Sequence, residues 1–117
     1  MSYLMKILDK PIAIDELKSL AAERYGDLIK AVVDVDRDLL AVDAELHADL
    51  EALLLDQGSA QTDLWGINLY PDMPDDEFLE FDSMINIRPS QGNRSRGVDD
   101  AGLQKRISAI VEKWVTR

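Results

Sequence analysis

Along this chain the spacing of apolar residues switches repeatedly between a helical period and a two-residue period, and that switching constrains the fold more than any single motif. Ile14, Leu17, Leu20 and Ala21 recur at helical spacing after Pro11 and stop at Gly26, a residue suited to the left-handed position that ends a helix. Asp15 and Glu16 stand where a helix dipole favours negative charge. Leu28–Asp36 then alternates, with Ile29, Ala31, Val33 and Val35 on one side, and the polar turn Asp36-Arg37-Asp38 leads into Leu39–Asp43. Two such runs with so short a connection predict a β-hairpin. From Glu45 the helical period returns through Leu46, Leu50, Leu53 and Leu54 and closes at Gly58.

A second hairpin is expected from Leu64–Tyr70 and Phe78–Arg88, joined by Pro71–Glu77, whose two prolines cannot sit in a central strand. Pro89 ends it. The last helix opens at Asp99 or Asp100, either a good N-cap, and repeats Leu103, Ile107, Ile110, Val111 and Trp114 on one face. A further short strand over Tyr3–Leu8 is only faintly patterned. The order α-β-β-α-β-β-α predicts an α+β two-layer sandwich. Its sheet is four-stranded and mainly antiparallel, built from two hairpins, with helices on one face.

The length of 117 residues suits one α+β domain over 1–117, large enough to bury a core without disulfides or a structural metal. No cysteine is present, which excludes thiolate metal sites and cysteine nucleophiles. Met1–Leu8 is apolar but interrupted by Lys6 and followed by Asp9 and Lys10, unlike a secretion signal. No run approaches the ~18 apolar residues of a membrane span. The expectation is therefore a cytoplasmic chain with no membrane partner.

Charge is divided unevenly. The chain carries a net −10, but residues 1–82 hold 6 Lys/Arg against 20 Asp/Glu, whereas residues 83–117 hold 7 against 3. The overall sign disfavours duplex nucleic acid, and the basic tail points to an anion-binding face or to pairing with the acidic body. The densest signal is the run Pro89-Ser90-Gln91-Gly92-Asn93-Arg94-Ser95-Arg96-Gly97. It joins a predicted strand to a predicted helix without a large apolar residue. Gly92 and Gly97 would let successive N–H groups cradle an anion, and Arg88, Arg94 and Arg96 would add charge-assisted bonds to phosphate or carboxylate. The run matches neither a P-loop nor a dinucleotide fingerprint, and Asp99 and Asp100 would compete for the same helix N-terminus. The competing reading is a surface loop whose arginines pair with the acidic body.

Asp43, Glu45 and His47 alternate across a strand-to-helix junction. Together they are a candidate set for a divalent cation, although a lone histidine among so many carboxylates is more often a capping or surface residue. Alternation also predicts a polar second sheet face made of Asp34, Asp43, Asn68, Tyr70, Asp82, Asn86 and Arg88, solvated as antiparallel sheets commonly are.

The stretches AVVDVD, LLAVDAELHADLEALLLDQGS, LWGINLYP and FDSMINIRPSQGNRSRGV span roughly Ile29 to Val98. They resemble a family of small prokaryotic proteins catalogued only as a domain of unknown function. The resemblance implies a prokaryotic cytosolic origin and carries over no catalytic residue. Two classes of function follow from the residues. In one, the chain binds a phosphorylated or other anionic small ligand, or an RNA end, through Ser90–Gly97, with a divalent metal assisting phosphoester chemistry. In the other, it is a non-catalytic module whose acidic surface meets a basic partner protein.

Overall fold

The computed structural model describes residues 5–117. In chain order the elements are β1 (Lys6–Ile7), β2 (Ile12–Ala13), α1 (Ile14–Glu23), β3 (Ile29–Asp34), β4 (Leu39–Val42), α2 (His47–Asp56), β5 (Leu64–Leu69), α3 (Asp75–Phe78), β6 (Leu79–Glu80), α4 (Ala101–Trp114) and β7 (Val115–Thr116), with short 3-10 turns at Gln61–Asp63, Met84–Asn86 and Pro89–Gln91. The three long helices and the first hairpin form where the periodicity places them. Gly26 and Gly58 sit just past α1 and α2 with φ of +95° and +99°, the left-handed geometry that lets each helix stop. Asp100 caps α4 by accepting from the Leu103 N–H at 2.7 Å.

The hairpin turn is held by Asp34. Its Oδ1 accepts from the backbone N–H groups of Asp36 and Arg37, and its Oδ2 accepts from Ser59 Oγ at 2.6 Å. One carboxylate thereby ties the β3–β4 turn to the end of α2.

The sheet has five strands rather than the four expected, in the order β1-β4-β3-β5-β6 and antiparallel throughout. Lys6 and Ile7 extend it at one edge, while Tyr3 and Leu4 lie outside the described residues. A separate parallel ribbon pairs β2 with β7 and brings the end of α4 back to the start of α1.

Helices on one face is the second expectation the structure corrects. Ala31, Val33, Leu40, Val42, Trp65, Ile67 and Leu69 pack under α1 and α4, whereas Val32, Ala41 and Leu64 pack on the opposite face against Leu50 and Leu54 of α2. The reason lies in β3 and β4, whose near-continuous apolar runs are those of strands buried on both sides. The polar second face is accordingly largely covered: Asp34, Asp43, Asn68, Asn86 and Arg88 are buried, and Tyr70 and Asp82 are half-buried.

The third correction concerns Phe78–Arg88. Only Leu79–Glu80 pairs with β5, and a 3-10 turn follows at Met84–Asn86. Where a strand would continue, the Asn86 side chain takes the place of a peptide group. Its Oδ1 accepts from the Gly66 N–H at 2.8 Å and its Nδ2 donates to the Gly66 carbonyl at 2.9 Å. This close approach requires glycine, because a Cβ on Gly66 would lie 2.6 Å from Ser83 Cβ.

Candidate functional site

The loop over Ser90–Gly97 is organised from within. Asn93 is buried, and its Nδ2 donates to the carbonyls of Asn86, Ser95 and Gly97 while its Oδ1 accepts from the Asp99 N–H. The Gly92 N–H donates to the Pro89 carbonyl and the Gly97 N–H to Ser95 Oγ. The Asp99 carboxylate accepts from the Arg94 N–H at 3.0 Å and from Ser95 Oγ at 2.5 Å. These bonds, that from Ser95 foremost, hold the Asp99 carboxyl below the usual aspartate range. The anion cradle expected here thus already contains an anion, supplied by the chain. The depression beside Gly92 and Asn93, about 420 Å³, presents Asp99 and Asp100, the wrong sign for an anionic guest.

The three arginines part company. Arg88 is buried, its guanidinium 4.6 Å from the centre of the Trp65 ring, donating to the carbonyls of Ile85 and Leu64 and lying 4.0 Å from Glu51. It joins the Met84–Asn86 turn to β5 and also reaches Gln91 Oε1 of the loop at 3.4 Å. Arg94 is exposed, as are Ser90 and Gln91, whose amide donates to the Thr62 carbonyl. Arg96 pairs through Nε with Asp82 at 2.7 Å.

Arg96 is the loop residue that reaches a concave site. A cleft of about 310 Å³ lies between the start of α2, β5 and residues 82–85, on the α2 side of the sheet. Lys30 and Asn68 line it as directly opposed partners in the β3–β5 register. His47, the first residue of α2, lines the same wall together with Asp82 and Arg96. Its Nε2 lies 2.8 Å from the Ile67 carbonyl. A carbonyl can only accept, so Nε2 carries the proton and Nδ1 is the acceptor of the neutral ring. Burial pushes the His47 pKa below the usual histidine value, opposed by the Ile67 bond and reinforced by the nearby Lys30 charge.

Asn68 is 7% exposed, and its Nδ2 donates to Glu80 Oε1 and to the Asp82 carbonyl, which fixes the orientation of the amide. Its Oδ1 is buried and makes no hydrogen bond of standard geometry among the described residues, and its interaction with the His47 ring raises the His47 pKa slightly against the effect of burial. A buried acceptor that lacks a full hydrogen bond costs about 1–3 kcal/mol. Lys30 forms no ion pair with a described residue and lies beside the Tyr25 ring, while Arg96 pairs with Asp82, which lines the same cleft.

The candidate metal set does not assemble. Asp43 is buried and gripped by Arg24, whose Nε and a terminal nitrogen lie 2.9 and 3.2 Å from its two oxygens. Glu45 is exposed and His47 turns Nε2 to the sheet. Among the described residues no group of three or more His, Asp or Glu side chains is placed to hold a metal ion.

Of the residues singled out in the sequence, the cleft gathers Arg96, His47, Asn68 and Asp82. Lys30 was not singled out, although a lysine inside the apolar run Ile29–Val33 was a legible sign. Nor was the exposed rim of Tyr25, Leu46 and Met84, because Leu46 fits the α2 apolar period yet stands at the N-cap, 54% exposed.

An antiparallel sheet covered by helices on both faces, with a partly basic cleft at the start of one helix, defines a small mixed α/β protein with a ligand-sized recess. The chain belongs to a family described as "Protein of unknown function (DUF5674)", matched over residues 6–114. No curated protein and no solved structure gives a significant match. No helix among the described residues is long and apolar enough to cross a membrane.

Proposed function

We propose that this chain binds a small phosphorylated or carboxylated ligand in the cleft between α2, β5 and residues 82–85. One observation carries the reading: Lys30 of β3 and Arg96 of the 90–97 loop, distant in sequence, border one recess floored by His47 and Asn68. A recess of about 310 Å³ suits a small molecule rather than a peptide or helix. The anionic ligand expected from the sequence is retained, and its place shifts from the loop's backbone to the side chain at the loop's end. Binding, rather than turnover, is the proposed activity.

The test is titration of the 15N-labelled chain with inorganic phosphate and with acetate, followed by amide shifts. Residues around Lys30, His47, Asn68 and Ser83–Ile85 should move. Lys30→Ala and Arg96→Ala should each weaken binding by about tenfold, the loss of one charge-assisted contact worth ~1.5 kcal/mol. Shifts confined to 90–95, or no shifts at ~10 mM ligand, would remove the cleft from consideration.

A second reading rests on the exposed acidic run Asp72–Glu77, which holds Asp72, Asp75, Asp76 and Glu77 around the exposed Met73. There the chain would be a non-catalytic module meeting a basic partner protein. Poly-lysine would then shift residues 72–77 and leave the cleft unmoved.

A further inference from the structure

The rim of the cleft differs in chemistry from its floor. Among the described residues seven large apolar side chains are exposed, and three of them, Tyr25 (41%), Leu46 (54%) and Met84 (66%), stand around this recess. They come from three separate segments: the turn after α1, the N-cap of α2 and the 3-10 turn at Met84–Asn86. Each segment is held by its own bonds. The Tyr25 hydroxyl donates to the Glu45 carbonyl, and Ser83 Oγ accepts from the Ile85 N–H. Lys30 Nζ lies 5.3 Å from the Tyr25 ring centre, so a cation and an aromatic face meet at the mouth. Small-molecule sites generally combine apolar walls with a few placed polar groups. Asn68 Oδ1, buried at the floor without a hydrogen bond of standard geometry and next to the His47 ring, is a polar group that a guest can meet.

We infer that the ligand of this cleft is an anion carrying an apolar, ring-sized body, with the charged group toward Lys30 and Arg96 and the body against Tyr25, Leu46 and Met84. The inference rests on the anion-binding reading and adds the chemical class. The charge of Lys30 and Arg96 selects an anion over a neutral apolar guest, and the volume selects a small molecule over an apolar segment of another chain.

Matched ligand pairs separate the two claims: phenyl phosphate against inorganic phosphate, and benzoate against acetate, titrated by amide shifts. The ring-bearing member of each pair should bind at least about tenfold tighter, as expected for removing most of a ring from water. The double variant Leu46→Ser with Met84→Ser should lose that preference and still bind inorganic phosphate as wild type does. Both substitutions are at exposed positions, which keeps the fold intact, and the amide spectrum checks it. If both members of a pair bind equally, the apolar body is wrong and the anion site stands. If neither binds, both claims fall. If the wild-type chain dimerises in sedimentation and the double variant does not, the rim covers a second copy and the inference is overturned.

Discussion

Single side-chain amides decide the part of this fold that periodicity misreads. Phe81, Ser83, Ile85 and Ile87 alternate as a strand would, yet Asn86 replaces backbone pairing by holding both polar groups of Gly66, and its Nδ2 also reaches the Arg96 carbonyl at 2.9 Å. A two-residue pattern cannot distinguish an amide that points to solvent from one that imitates a peptide bond, so this departure was not legible. The consequence is testable. Asn86→Ala leaves the Gly66 N–H and carbonyl without partners, at about 1–3 kcal/mol for each buried group, so stability should fall by ~3 kcal/mol or more in denaturant unfolding. Asn86→Asp should be no milder, because the carboxylate keeps the Gly66 N–H but meets two carbonyl oxygens. A loss below ~1 kcal/mol in both variants would show that water takes the place of the amide.

The elements themselves were largely readable, and the way they stack was not. α1, α2, α4 and the β3–β4 hairpin follow directly from spacing, turn residues and caps, since those signals are local. Whether α2 lies on the same sheet face as α1 and α4 depends on non-local packing. The clue was quantitative: β3 and β4 are too uniformly apolar for strands with one wet face. The same non-locality hid the cleft, whose residues meet only because β3 pairs with β5 and sets Lys30 opposite Asn68. The second core gives the prediction at this scale. Leu54 is fully buried among Val32, Ala41 and Leu64, so Leu54→Ala should cost about 2–5 kcal/mol, as for a buried leucine elsewhere. A two-layer protein with an open second face would lose well under 1 kcal/mol, and equilibrium unfolding tells the two apart.

Across the whole molecule the basic tail and the acidic body meet. Arg96 pairs with Asp82, Arg106 with Asp38 and Arg117 with Asp75, at 2.7, 2.5 and 2.9 Å. Asp75 is largely exposed and the other pairs are half-exposed, so each contributes little on its own. They place the tail's charge without making the fold depend on it. Near neutral pH a different group governs how stability responds to protons. His47 is buried with a pKa lowered from its ordinary 6.5, chiefly by desolvation, so at mildly acidic pH the unfolded chain takes up a proton that the folded chain refuses. By linkage its contribution is complete above about pH 6.5 and is lost as pH falls from there toward the lowered folded value. Asp99 acts in a separate window, because its contribution persists above the ordinary 3.8 and fades only below it. Between pH 7.5 and 5.5, then, denaturant midpoints of the wild-type chain should fall. In His47→Gln they should fall much less, since the glutamine amide can still donate to the Ile67 carbonyl and does not titrate. Equal slopes in the two proteins would mean that His47 binds protons alike in the folded and unfolded chain, and would assign the pH dependence to another group.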